Sequence, residues 1–345
     1  MATRHFPLVR ACGFGSLPDL IEERMGERYM LELFERENLP VQLRDMPDTP
    51  MPLAAMMGLF FRGARILGQR TFGLEVGERM THRGYGLWAE YSASAPTLGG
   101  ALRRAVFTSA AHMSGARLEL VPDQDRWVWR FVMPEMAPCR MQHADHMLVP
   151  MLTLVRQYLG PDWQPDWLEV SYPRDPAADE IETWLRIPVR FRCAGTGVSL
   201  RLDDLRRSRR GDGPMLRRGV TLREVQADVI LKDAPEPARA VSALVALRLL
   251  DGETDIEGTA RLAGLSVQGL QRRLRQKGYT YREIVDQARQ MRARCLVLDT
   301  EWPLIEIALA LGYQDQANFS RAFVRWFGCA PSDLRRAGAG RMAWA

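Results

Sequence analysis

The chain has 345 residues, 46% hydrophobic and 26% charged, with a formal net charge of +5. This is the balance of a soluble globular protein long enough for two cores, and it excludes a disordered or fibrous chain. No run of 18 apolar residues marks a membrane span and no signal-peptide pattern opens the chain, so a cytoplasmic protein is expected.

Residues 1–15 carry no period and are expected to form a loose leader. From Leu17 to Glu37 apolar residues alternate with charge at helical spacing, which predicts a surface helix ending near Pro40. Leu53–Leu67 predicts a more apolar, buried helix, and Thr97–Ala111 another, with Leu98, Leu102, Val106 and Ala110 on one stripe. The period then changes. Arg117–Val121 and Trp127–Val132 flank Pro122-Asp123-Gln124-Asp125, a hairpin pattern. Met141–Tyr158 is helical, Trp167–Tyr172 a strand, Ala177–Leu185 a short helix, and 188–191 and 198–202 two further strands. Residues 16–205 are therefore expected to form an α+β domain.

Charge, Gly and Pro cluster without a period at Arg206–Pro214, which predicts a solvated connector. Leu216–Leu231 follows as a helix with Leu222, Val225 and Val229 on one side. That side either makes a dimer contact or packs on the N-terminal domain. Residues 206–237 are thus a linker with a helix, and an all-α domain is expected over 238–337.

In that last domain one pattern occurs twice. Ile256-Glu257-Gly258-Thr259-Ala260-Arg261-Leu262-Ala263-Gly264 and Leu304-Ile305-Glu306-Ile307-Ala308-Leu309-Ala310-Leu311-Gly312 lie 48 residues apart. Each predicts an amphipathic helix with Ile256, Ala260 and Ala263, or Leu304, Ala308 and Leu311, on its apolar side. A glycine turn follows, then a polar, arginine-bearing helix. This is a helix-turn-helix, the unit that sets a helix into the DNA major groove. In the first copy Ser266 is the expected N-cap, Leu270 and Leu274 are buried, and Gln268, Gln271, Arg272 and Arg275 face outward. The second copy has one extra residue before its helix. Phe319 and Phe323 are buried there, and Gln316, Asn318, Ser320, Arg321 and Arg325 face outward. Gln and Asn pair with adenine and Arg with guanine, each pair giving roughly 1–3 kcal/mol of base discrimination. Tyr281–Leu298 between the copies is one helical pattern, with Ile284, Val285, Ala288, Met291, Cys295 and Leu298 as its stripe. Such a spacer would hold the two units about one DNA turn apart. The plain alternative is two helical hairpins in a small bundle. Residues 234–345 carry 16 Lys/Arg against 12 Asp/Glu, so most of the basic excess sits with the repeat.

Ala308-x-x-x-Gly312-Tyr313, Asn318-Phe319-Ser320-Arg321-Ala322-Phe323 and Arg325-Trp326-Phe327-Gly328-Cys329-Ala330-Pro331 resemble the signature of the AraC/XylS family of bacterial transcription regulators. Gly264-Leu265-Ser266 with Leu270-Gln271-Arg272-Arg273-Leu274 resembles the family's first helix-turn-helix. The N-terminal part resembles the branch with an arabinose-binding-type domain. The resemblance implies a cytoplasmic homodimer that binds promoter DNA and activates transcription through RNA polymerase. Its N-terminal domain would sense an unknown small-molecule effector or mediate dimerisation. Carried over, the base-contact positions are Gln268, Gln271 and Arg272, then Gln316, Asn318, Ser320 and Arg321. Gln268-Gly269 replaces the branch's Arg-Thr pair, and Thr259 stands where the second copy has the core residue Ile307. Both departures predict a weaker contribution from the first unit. Rival readings are a regulator without a ligand, a general DNA binder, and an enzyme fused to a DNA-binding tail.

Elsewhere, Cys12, Cys139, Cys193, Cys295 and Cys329 are scattered and suggest neither a metal site nor a disulfide framework. His143, Asp145 and His146 share a helix without a fourth ligand, so they are expected on the helix surface or lining a pocket rather than holding a metal. Trp127 and Trp129 share one strand face. With Trp88, His143 and His146 they are the candidates for an apolar effector pocket; ordinary core is the alternative. No phosphate loop, nucleophile elbow or metalloprotease motif is present, so neither an enzyme nor a cofactor is expected.

Overall fold

The computed structural model describes residues 7–80, 82–133, 140–209, 220–227 and 236–342, and the chain divides into two units, Met1–Val229 and Ile230–Ala345.

In the first unit the hairpin forms one side of a five-stranded sheet. β3 (Arg117–Asp123) and β4 (Arg126–Val132) pair antiparallel around a two-residue turn, with Gln124 at φ 54°. Pro122 and Asp123, expected in the turn, belong to the strand. β7 (Thr196–Leu200) lies beside β4, then come β5 (Leu168–Glu169) and β6 (Val189–Arg190), in the order β3-β4-β7-β5-β6. The strands expected over 167–172 and 188–191 shrink to two residues each.

Helix α1 (Leu17–Met25) stops at Gly26, where φ is 90°, and α2 (Glu27–Arg36) restarts beyond it. The single helix expected over 17–37 is thus two, because glycine at this φ breaks the backbone hydrogen-bond run. The expected loose leader is also corrected. β1 (Leu8–Arg10) pairs with β2 (Pro50–Pro52), and Cys12 and Phe14 are buried, Phe14 edge-on to Phe34. The strand pairing spans about forty residues and the ring contact twenty, so local spacing could not show them. α3 (Leu53–Leu67) forms as expected.

α7 (Arg140–Leu159) is the central helix, with α3, α4 (Phe72–Glu78) and β7 all packed on it. The glycines of α4 permit the approach: a Cβ on Gly73 would sit 2.0 Å from the Gln142 carbonyl, and one on Gly77 2.8 Å from that of His146. Of the two positions expected for His143, Asp145 and His146, the helix surface is excluded: all three are buried, the imidazoles against Phe60, Phe131 and Tyr85. Asp145 turns to Arg70, whose Nη1 donates at 2.6 Å, and to the Tyr172 hydroxyl. α5 (Gly86–Ala93), α6 (Leu98–Thr108) and α8 (Ala178–Leu185) complete the unit.

The connector begins bound, not free. Leu98 N–H donates to the Arg207 carbonyl at 3.0 Å, Arg209 N–H to Pro96 at 3.1 Å, and Thr97 bridges Ser208. The rest of the expected connector, 210–214, lies outside the described residues. Of the helix expected at Leu216–Leu231, α9 (Leu222–Ala227) is described; Val229 and its neighbours lie outside. Val225 is buried in the core of the first unit, so this side chain packs on its own domain rather than waiting for a dimer partner.

The second unit is all helical: α10 (Ala238–Arg248), α11 (Ile256–Leu262), α12 (Val267–Arg275), α13 (Tyr281–Asp299), α14 (Leu304–Ala310), α15 (Gln316–Phe327) and α16 (Pro331–Met342). Among the described residues no helix is long and apolar enough to cross a membrane.

Candidate nucleic-acid interface

Each copy of the repeat folds as helix, glycine turn, helix. Gly264 and Gly312 adopt φ 64° and 72°, which only glycine takes without strain. In α11 the Asp255 carboxylate caps the helix by accepting from Gly258 N–H at 2.7 Å. α12 is capped by Ser266, whose hydroxyl accepts from Gly269 N–H at 3.1 Å. Leu270 and Leu274 are fully buried; Gln268, Arg272 and Arg275 are exposed and Gln271 is half-buried. Thr259, which stands where the second copy has Ile307, has its hydroxyl satisfied. It is fully buried, but its hydroxyl meets the Tyr281 hydroxyl at 2.7 Å, and Tyr281 in turn donates to the backbone at residues 254 and 255. On α11 the buried residues are Gly258, Thr259 and Ala260, while Ile256 and Ala263 are only half-buried.

In the second copy Ile307, Ala308, Leu311, Phe319 and Phe323 form one core with Leu249, Ala293 and Val297. Asp315 caps α15 by accepting from Asn318 N–H at 2.7 Å. The Asn318 side-chain amide donates to the same carboxylate at 2.6 Å, and Arg321 donates to the Asn318 Oδ1 at 2.6 Å. Two of the expected base-reading side chains are therefore held in a chain that starts at the cap. Gln316, Asn318 and Arg321 are exposed and Ser320 is half-buried. Arg325 is exposed but engaged: it donates to Asp286 at 2.7 Å, and Trp326 Nε1 donates to the other oxygen of that carboxylate at 3.0 Å.

The connecting helix α13 behaves differently from its expected stripe. Met291 and Cys295 are exposed, whereas Ala293 and Val297 are fully buried. Ile284 and Ala288 precede Ala293 and Val297 by nine residues, about two and a half helical turns. The helix thus buries opposite faces at its two ends, and a single stripe cannot describe it.

Arg289 on α13 joins the two copies. Its Nε donates to the Leu311 carbonyl at 2.8 Å, its Nη2 to Gly312 O at 3.0 Å and to Thr254 Oγ1 at 3.1 Å, and its guanidinium lies 4.7 Å from the Tyr313 ring centre. Gly312 also leaves no room for a side chain, since a Cβ there would sit 2.5 Å from the Gly252 carbonyl. Beside α12, Gln271, Arg275, Tyr279 and Arg282 help line a groove of about 360 Å³. Arg282 adds a cation next to the first recognition helix. Sequence reasoning passed over Arg282 and Arg289, because both sit within a helix treated only as a spacer.

The expected effector residues are distributed otherwise. Trp88 is buried, stacks on His112 at 5.0 Å and donates from Nε1 to the Ala105 carbonyl at 3.3 Å. Trp127 is half-buried at the margin of the core. Trp129, His143 and His146 are buried; the two imidazoles pack against Phe60 of α3, and His143 against Phe131, which shares the Trp129 face of β4. Burial pushes the His143 imidazole down to about 4 and holds that of His146 well below its ordinary range. Among the described residues no group of three or more His, Cys, Asp or Glu is arranged to hold a metal.

Comparison with known proteins agrees with this geometry. The sequence profile of the "Arabinose-binding domain of AraC transcription regulator, N-term" matches residues 30–208, and that of a "Helix-turn-helix domain" matches residues 259–337. The "Ornithine utilization regulator" of Pseudomonas aeruginosa is 26% identical over 326 residues, 93% of this chain and 94% of the relative. The "HTH-type transcriptional regulator VirS" of Mycobacterium tuberculosis is 23% identical over 346 residues, 96% of this chain and 97% of the relative. The crystal structure of the transcriptional regulator CdpR from Pseudomonas aeruginosa aligns over 90% of this chain and 97% of its own, at 22% identity and a TM-score of 0.40. With an arabinose-binding-type domain followed by a tandem helix-turn-helix, the chain belongs to the AraC family of DNA-binding transcription regulators.

Proposed function

We propose that the protein is a sequence-specific activator that binds promoter DNA as a cytoplasmic homodimer and responds to a small-molecule effector through its N-terminal unit. The observation that carries the sequence-specific part is the pair of capped recognition helices within one braced unit. Their outer faces hold Gln268, Gln271, Arg272 and Arg275, and Gln316, Asn318, Ser320 and Arg321. These are base-reading types; lysine-rich faces would suit general phosphate binding instead.

Activation draws support from a difference between the copies. On α14 and just before it, Trp302, Ile305 and Leu309 are 44%, 42% and 54% exposed. The positions 48 residues earlier are Thr254, Glu257 and Arg261. The same outward face is polar in one copy and apolar in the other, with exposed Glu301 and Glu306 at its rim. Carboxylates keep this face off the phosphates, so it stays open to a protein, and we assign it to RNA polymerase. The homodimer reading follows from the family and is tested by sedimentation of the full chain.

The deciding experiment is selection of genomic fragments by the purified full-length protein at near-physiological salt. A few sharp peaks upstream of genes are expected. Diffuse enrichment that vanishes with added salt would reduce the protein to a general DNA binder.

A further inference from the structure

Among the buried polar atoms of the first unit that have no hydrogen-bond partner among the described residues, four sit on elements packed together: Trp129 Nε1 on β4, Thr196 Oγ1 on β7, and His143 Nδ1 and His146 Nδ1 on α7. The strand ladder places two of them. Trp129 and Phe131 are two apart on β4 and share a face, with Val198 opposite Trp129 and Thr196 opposite Phe131 on β7. These four side chains form one patch. The His143 ring lies 6.2 Å from that of Phe131 and 6.0 Å from that of His146, and Phe60 on α3 meets the two imidazoles at 5.6 and 4.7 Å. None of the four residues is more than 3% exposed.

Buried polar groups in folded proteins are nearly always paired, so four orphans on elements packed against one another point to a shared partner. The surroundings limit its chemistry. Both imidazoles are held neutral by burial. The nearby buried carboxylate, Asp145, is taken up by Arg70 and Tyr172. Among these described residues none supplies a free counter-ion for a charged ligand, and an unpaired buried charge is strongly disfavoured. Trp129 can only donate, so its partner must accept. Phe60, Phe131 and the Trp129 ring supply apolar walls.

We propose that Trp129, His143, His146 and Thr196 form an effector site for a small uncharged molecule, flat and largely apolar, with an acceptor oxygen for the Trp129 indole N–H. This deepens the reading of the N-terminal unit as a sensor and rests on it.

The test uses the full chain and acetophenone, a flat neutral ketone, with benzoate as its charged counterpart of similar shape. Calorimetry is expected to show acetophenone binding, with benzoate at least tenfold weaker. Trp129→Phe and Thr196→Val are expected to weaken acetophenone at least tenfold, while Thr196→Ser, which keeps the hydroxyl, retains it. A parent protein that ignores acetophenone, one that prefers benzoate, or variants that bind like the parent would overturn the site. Promoter output that responds to some molecule regardless of Trp129 and Thr196 would also overturn it while leaving the regulator reading intact. Loss of sequence-specific DNA selection would remove that reading and not this site.

Discussion

Arg289→Met is the most informative single change in the DNA-binding unit. Methionine keeps much of the apolar stem and removes every donor. Three hydrogen bonds disappear, to Leu311 O, Gly312 O and Thr254 Oγ1, together with the cation–π contact to Tyr313. A hydrogen bond to a charged group contributes roughly 1.5–3 kcal/mol. The Gly312 bond is exposed and water replaces it at little cost, so two bonds carry the effect and about 3 kcal/mol is expected. The loss also has a geometric reading. Thr254 stands just before the cap of α11, and Leu311 and Gly312 end α14. Without Arg289 the two recognition helices are no longer tied through one side chain. Binding to a full site, where the second contact is intramolecular, is expected to weaken about tenfold or more, while binding to a half-site changes little. Denaturant titration of the full chain and fluorescence titration on full and half sites measure both quantities. An unchanged midpoint together with an unchanged ratio of full-site to half-site affinity would falsify the bridging role.

The two turn glycines should differ. Gly264→Ala meets nothing within 4 Å and costs only the positive-φ strain, about 1 kcal/mol, whereas Gly312→Ala also drives a Cβ against the Gly252 carbonyl and is expected to cost at least twice that; equal losses in denaturation would remove the close-approach argument. Arg321→Ala is expected to weaken specific binding more than Arg272→Ala, since Arg321 is pre-oriented by Asn318 and Asp315; equal losses on one promoter count against this. Ile305→Glu with Leu309→Arg gives the second copy the residues of the first. DNA affinity should hold while transcription by purified RNA polymerase falls, and unchanged transcription would free this face of that role. His143 is depressed from 6.5 to about 4 by burial. The unfolded state therefore takes up a proton first, and the stability from burying the neutral ring, present above pH 6.5, is lost as pH falls toward 4, about 3 kcal/mol. Asp145, raised to about 6 by burial, acts in the opposite sense, losing its contribution as pH rises from 3.8 through 6. Comparison of the parent with His143→Gln isolates the histidine: the parent should lose more stability between pH 7 and 4.5, and parallel losses would contradict a buried neutral His143.

The tandem helix-turn-helix was legible because its signals are local. A cap residue, a glycine with positive φ and apolar residues four apart decide each half within about twenty residues. The outward faces of α12 and α15 followed by elimination once Leu270 and Leu274, or Phe319 and Phe323, were placed inside. The hairpin of β3 and β4 and helices α3 and α7 were legible for the same reason. Only tertiary structure decided the rest. Strand β1 exists because it pairs with β2, about forty residues on. Helix α4, rich in glycine and poor in helix propensity, forms where its glycines let it lie on the backbone of α7. His143 and His146, expected on a helix surface or lining a pocket, are buried by Phe60, Phe131 and Tyr85, which come from elsewhere in the chain. Helix α13 serves two cores half a turn apart, so its apolar residues follow neither core's period. The Arg289 contacts depend on two loops, at residues 254 and 311–312, meeting one side chain. Nearest-neighbour spacing thus fixed the segments whose signals are local; which segments meet, and with them β1, α4 and the buried polar atoms, depends on contacts far apart in the chain that no local pattern records.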